Sequence, residues 1–361
     1  EGMSGLRLFR RLLALPSPVK LKQLSRVQPL SISASSSLLR SRKRSLWLGG
    51  CTLVAGISGY AAHLATPDWR QIVDSQHYYE DFQMRAYFSL PLNVFSRLAG
   101  KLANQDIPVW LRGPILGLFV KIYGCKMSEA EVSELSEYPT FASFFNRSLR
   151  RETRPISATP LVSPADGTVL HYGEVVDGQI EFIKGHDYSV REFLGDIDIP
   201  VKEGNALYQM VIYLAPGNYH AFHSPARWKA EHIRHYPGLL LSVRPSLLAR
   251  VPHLFCLNER VVLNGHWVHG FFSMAAVAAT NVGDVAIEDD PSIRTNLSRR
   301  RRDSLESVRT EFERPFLPGQ KVGEFRLGST IVLIFEAPKT VEFAIGAGDS
   351  LRYGQSLVVD L

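Results

Sequence analysis

Cysteine is scarce in this sequence. Cys51, Cys125 and Cys256 are scattered and odd in number, so neither a disulfide framework nor a Cys-X-X-Cys metal pair follows. No dinucleotide-type glycine fingerprint follows an apolar strand, no P-loop occurs and no internal repeat is visible. Acidic residues are missing altogether from Gly2 to Pro67. The same stretch carries Arg7, Arg10, Arg11, Lys20, Lys22, Arg26, Arg40, Arg42, Lys43 and Arg44, and it is rich in Ser and Leu. A basic, Ser-rich, acid-free segment has the composition of a mitochondrial import presequence. In LRLFRRLLAL, Leu and Phe interleave with Arg as an amphipathic helix requires, which favours targeting over the competing reading of a nucleic-acid-binding arm.

The next segment, SLWLGGCTLVAGISGYAAHLA, has no acidic or basic residue apart from His63. It is long enough to cross a hydrocarbon core of roughly 30 Å. A buried soluble helix is the alternative. The basic cluster at Arg40–Arg44 precedes it, and the positive-inside tendency puts that end in the matrix. The expected order is therefore a presequence over residues 1–44, a transmembrane segment over 45–66, a mainly helical region over 67–154 and a β-rich domain over 155–361.

The helical region rests on three- and four-residue apolar spacing in QHYYEDFQMRAYFSLPLNVFSRLAGKLANQ and MSEAEVSELSEYPTFASFFNRSLR. Ser128 and Glu131 match a capping box before Val132 and Leu135. The apolar face of this region either packs on its neighbour or rests on a membrane. From Pro155 onward, short apolar runs such as ALYQMVIYLAPG and STIVLIFEAP alternate with Gly, Pro and Asp turns. An α+β fold follows, its β-rich core closer to a sandwich or barrel than to a doubly wound sheet. Arg299 to Arg302 interrupt the pattern, as a solvated loop or an anionic-lipid contact.

Three places can carry chemistry. Asp166 lies in the turn LVSPADGTV. His220 and His223 stand three apart in APGNYHAFHSP, after the apolar run VIYL. Gly328, Ser329 and Thr330 open the run IVLIF. A Ser nucleophile needs a base and the base an orienting acid, and these segments hold all three types. Each alone also has an ordinary reading: an Asx turn, a packed histidine, a strand-entry turn. A metal site is not supported, since no carboxylate or Cys stands near the histidines at ligand spacing.

Taken together and in order, YPTFASFFNRSLRRETRPI, SPADG, KGHDYSVREFLG, NYHAFHSP, LFCLNERVVL, AATNVG and GEFRLGSTIVLIFEAP resemble the phosphatidylserine decarboxylases, in their mitochondrial form. The resemblance runs from Tyr138 to the C-terminus. It implies that the chain cuts itself between Gly328 and Ser329, and that Ser329 becomes a pyruvoyl group, the only cofactor. It implies that His223 takes the hydroxyl proton while Asp166 holds the imidazole. The serine amine of phosphatidylserine would then form a Schiff base with the pyruvoyl, with His220 donating a proton or orienting the substrate. The implied partners are phosphatidylserine, the inner mitochondrial membrane and, in a homodimer, a second copy of the chain; no metal or nucleic acid is among them. The large and short chains would stay associated, and the catalytic domain would lie in the intermembrane space. Asn218 and Ala221 depart from the family's pattern, in which an Asp and a basic residue often flank the first His; this lowers the charge available near a headgroup.

KGHDYSVREFLG reads as a hairpin and helix start or as a border of the pocket, Cys256 as core, and Asn258 with Glu259 as supports of a turn. Two other functions compete. A Ser-His-Asp hydrolase would keep the Ser329 hydroxyl, but no G-x-S-x-G elbow surrounds it. An uncleaved, membrane-anchored lipid-binding relative would keep the fold without the chemistry.

Overall fold

The computed structural model describes residues 92–180, 188–248, 253–280, 284–288, 308–326 and 329–361, with Tyr87, Leu90, Val251, Asp290, Ile293, Thr295 and Asn296. The presequence, the transmembrane segment, Arg299–Arg302 and Gly328 lie outside the described residues. Among the described residues no helix is long and apolar enough to cross a membrane.

Helices come first. Helix α1 spans Leu92–Ala103, α2 Val109–Tyr123 and α3 Phe141–Phe145. Pro108 precedes α2, and Gly124 ends it in the left-handed conformation (φ 67°), donating its N–H to the Val120 carbonyl. The capping box lies elsewhere than at Ser128. Thr140 and Ser143 close one around the start of α3, while Met127–Glu129 form a single 3-10 turn. Pairing explains the difference: Ala130 bridges to Leu149, and the Glu131 N–H bonds the Ser148 carbonyl at 2.9 Å, so that stretch cannot turn helical. Much of the apolar surface of α1 and α2 stays unpacked, with Leu98 56% and Trp110 75% exposed.

The strands follow as β1 (Gly167–Glu174), β2 (Gln179–Ile180), β3 (Tyr188–Ser189), β4 (Asn205–Leu214) and β5 (Ala221–His223). Next come β6 (Trp228–Tyr236), β7 (Arg260–Trp267), β8 (Gly270–Ala278), β9 (Val285–Ile287) and β10 (Val308–Phe316). The last are β11 (Lys321–Phe325), β12 (Ser329–Pro338), β13 (Glu342–Phe343), β14 (Ser350–Leu351) and β15 (Val358–Asp360). Eight of them form an antiparallel sheet in the order β10-β6-β7-β8-β12-β4-β1-β14, and β5, β11 and β9 form a smaller one. The α+β reading with a β-rich core therefore holds.

Strand β12 explains its own sequence. Ile331, Leu333 and Phe335 face a core shared with Phe222, Val322, Val285 and Ile287 of the small sheet. Val332 and Ile334 face the opposite core, with Phe193, Leu241 and Phe255. A strand buried on both faces has no polar side, so it reads as an unbroken apolar run. At its far end, Glu336 accepts from the Lys202 N–H, the Asn205 amide and the Phe271 N–H, which ties β12 to its surroundings.

Candidate active site

Ser329 is the first residue of β12, opposite Leu214 of β4 and Ala278 of β8. Its side chain is fully buried, and its Oγ has no hydrogen-bond partner among the described residues. The Thr330 Oγ1 beside it is equally bare. Native proteins pair most buried polar atoms, so unpaired ones mark places with another use.

His220 and His223 reach this region because β4 ends at Leu214 and the chain returns as β5. Strand β5 pairs with β11, the strand that leads toward Ser329: His223 stands opposite Lys321, and the Phe325 N–H bonds the His220 carbonyl at 2.9 Å. His220 thus lies at the end of β11 nearer Ser329. Its ring is wholly buried against Phe145, with ring centres 4.1 Å apart. Its Nδ1 faces the Asn218 carbonyl at 2.9 Å and so carries the proton, leaving a basic Nε2 that has no partner. Burial lowers its pKa to about 3.

His223 has the same tautomer for the same reason. Its Nδ1 faces the Gly319 carbonyl at 2.9 Å, and its Nε2 accepts from the Tyr219 hydroxyl at 3.2 Å. Its ring lies flat on Tyr353, 3.9 Å between centres and 3° from parallel. Burial lowers its pKa to about 4, against a partial opposing effect of the Gly319 contact.

Asp166 precedes β1, where Gly167 lies so close to β4 that a Cβ would sit 2.5 Å from the Tyr213 carbonyl oxygen. The Asp166 turn meets β5 directly, through the His223 N–H on the Pro164 carbonyl at 2.7 Å. The carboxylate, however, makes no hydrogen bond to the imidazole. Arg154 takes both of its oxygens, Nε on Oδ1 at 2.9 Å and Nη2 on Oδ2 at 2.5 Å, and the Tyr353 N–H adds a third bond at 3.0 Å. Arg154 also holds Glu129 at 2.7 Å. Asp166 therefore touches the backbone of the residue whose ring stacks on His223. Among the described residues no hydrogen bond joins either histidine to Ser329.

Asn258 supports the site from behind. Its amide donates to the Leu241 and Ala278 carbonyls, and Ala278 is a strand partner of Ser329. Glu259 accepts from His235 and from the Asn296 N–H. Cys256 is half-buried beside the core. Ser189 caps the short helix Val190–Leu194, which gives the end of KGHDYSVREFLG ordinary turn chemistry. Sequence reasoning missed Arg154, Tyr219 and Tyr353, and also the run Phe145-Asn146-Arg147 around His220. The only signal for that run was its place within YPTFASFFNRSLRRETRPI.

Comparison with known proteins identifies the family. A family model described as phosphatidylserine decarboxylase matches residues 141–359. A protein of Caenorhabditis elegans, the mitochondrial phosphatidylserine decarboxylase proenzyme, is 61% identical over 91% of this chain and 87% of its own length. The protein of the same name from Cricetulus griseus is 42% identical over 76% of this chain and 74% of its own. The mitochondrial phosphatidylserine decarboxylase proenzyme 1 of Schizosaccharomyces pombe is 34% identical, over 88% and 92%.

Proposed function

Because the chain belongs to the phosphatidylserine decarboxylase family, we propose that it removes carbon dioxide from phosphatidylserine with a pyruvoyl group made from its own Ser329. The product is phosphatidylethanolamine. The observation that carries this reading is the buried, unpartnered Ser329 hydroxyl at the head of a central strand. A serine with no further role there would carry an uncompensated cost of about 1–3 kcal/mol.

As a nucleophile, the hydroxyl attacks the carbonyl of Gly328. The amide C–N bond breaks, the acyl group moves to Oγ and the Ser329 amine is freed. Loss of the α-proton then expels Gly328 as a carboxylate and leaves dehydroalanine. Its enamine tautomerises, and water releases ammonia to leave a pyruvoyl end at position 329. His223 takes the hydroxyl proton at Nε2, which burial keeps unprotonated at neutral pH. Asp166 holds His223 through Tyr353 and offsets the charge that the imidazole gains. Position 329 suits the group it would carry, being wholly buried between two strands. The pyruvoyl carbonyl supplies an electron sink for carbon dioxide loss from an amine-bearing substrate. His220, neutral with a bare and unprotonated Nε2, takes a proton there from the substrate ammonium and returns it to the α-carbon.

We place the chain at the inner mitochondrial membrane, with the β-rich domain in the intermembrane space. The relatives' names, the acid-free N-terminal segment and the exposed apolar residues of α1 and α2 support that placement. Ser329→Ala should give an uncut chain that releases no carbon dioxide from phosphatidylserine vesicles. A cut Ser329→Ala chain, seen as two bands on a denaturing gel, would remove Ser329 from the reading.

A further inference from the structure

Arg147 is 3% exposed, follows α3 and has no acidic partner among the described residues. Its Nη2 donates to the Gly217 carbonyl at 2.9 Å. Its guanidinium lies over the Phe144 ring at 5.6 Å, and its buried Nε and Nη1 have no hydrogen-bond partner among the described residues. A buried guanidinium usually finds a carboxylate, as Arg154 does here, because leaving its donors bare is costly. Nε and Nη1 lie on different edges of the fork, each beside the occupied Nη2, so an anion reaching either edge would receive a charge-assisted hydrogen bond from a donor that is now empty.

Its neighbours place it in the site. Gly217 begins the turn that leads into His220, and the Phe145 ring stacks on that histidine. The amide of Asn146 donates to the Phe325 carbonyl at 3.2 Å, at the end of β11. Asn146 Oδ1, Arg147 Nε and Nη1, and His220 Nε2 are bare buried polar atoms on these adjoining segments, and Ser329 Oγ is another on the strand that follows β11. Unpaired atoms gathered on adjoining segments are what a site shows when its ligand supplies the missing partners.

We propose that the Arg147 guanidinium anchors the phosphodiester of the phospholipid headgroup beside His220. This rests on the phospholipid reading given above and adds the residue that recognises the headgroup. The substrate carboxylate is the other anion available, and catalysis argues against it. A carboxylate loses its charge as carbon dioxide leaves, so an arginine bound to it would favour the ground state over the transition state. A phosphodiester keeps its charge throughout. Arg147 also lies near enough to His220 to act on it electrostatically.

The test uses the full chain and a binding readout that needs no turnover. The 31P signal of sn-glycero-3-phosphoethanolamine, which has the phosphodiester and no carboxylate, is titrated with the wild type, Arg147→Gln and Arg147→Lys. Affinity should fall roughly tenfold or more in Arg147→Gln, as expected for a lost charge-assisted hydrogen bond, and less in Arg147→Lys. Serine, with the carboxylate and no phosphate, should bind all three alike. Unchanged affinity for the phosphodiester, or a loss confined to serine, overturns the proposal. If neither variant folds, the wild type decides: dimethyl phosphate, which shares only the phosphodiester with the ligand, should displace it, and failure to displace it overturns the proposal. Carbon dioxide release by the wild type tests the decarboxylase reading separately, so the two failures are distinguishable.

Discussion

The two buried histidines give the site a pH signature. Both have folded-state pKa values, about 3 and about 4, below the 6.5 of an exposed imidazole. Between those values the unfolded chain binds more protons, so stability should fall as pH drops below about 6.5 and level off near pH 3. Each histidine should contribute a slope of about 1.4 kcal/mol per pH unit within its window. Denaturant melts between pH 8 and pH 4 check this. Self-cleavage should stay flat from pH 8 to about pH 5, because His223 remains neutral there; a loss centred near pH 6.5 would show that the base is not a buried imidazole. Asp166→Ala strands the buried Arg154 with Glu129 alone and should cost about 3–5 kcal/mol. It should also slow cleavage by loosening Tyr353 under His223. Normal cleavage in a stable Asp166→Ala chain would remove it from the proposal. At this scale the sequence revealed residue types but not partners. Asp166 stood out in its Pro-Ala-Asp-Gly turn, yet nothing in the spacing said that Arg154 would occupy both of its oxygens. Arg147 looked like one basic residue among many because burial, which makes it unusual, is a property of the fold.

Among the elements, the turn between β4 and β5 does the most to place the chemistry. A Cβ on Gly217 would sit 2.0 Å from the Tyr123 carbonyl oxygen, a backbone atom at the end of α2. Gly217→Ala should therefore displace either α2 or the turn that carries His220. Loss of 1 kcal/mol or more in stability is expected, at the lower end of overpacking costs, with slower carbon dioxide release. Unchanged melting and turnover would show that the two segments are free to separate. Strands were the most legible elements, since β4, β8 and β12 are apolar runs bounded by Gly, Pro and Asp. The helix starting near Ser128 was misplaced because its apolar spacing is real but its backbone is engaged by residues 148–150. Such a pairing is invisible to a local pattern.

Over the whole molecule, the order of the strands matters most. The proposed cut leaves β12 at the head of the short chain, between β4 and β8 of the large one, with Glu336 bonded to Lys202, Asn205 and Phe271. The two chains should co-elute in native gel filtration and part only in denaturant; a short chain that leaves in buffer would contradict that placement. The N-terminal organisation expected from charge and composition lies outside the described residues, and strand order was beyond the sequence because partners such as β12 with β4 and β1 with β14 lie far apart along the chain. The denatured intact mass of the purified protein tests the central claim most directly. Two species are expected, the smaller spanning residues 329–361 with a pyruvoyl in place of serine. A single uncut mass with Ser329 intact would contradict the account.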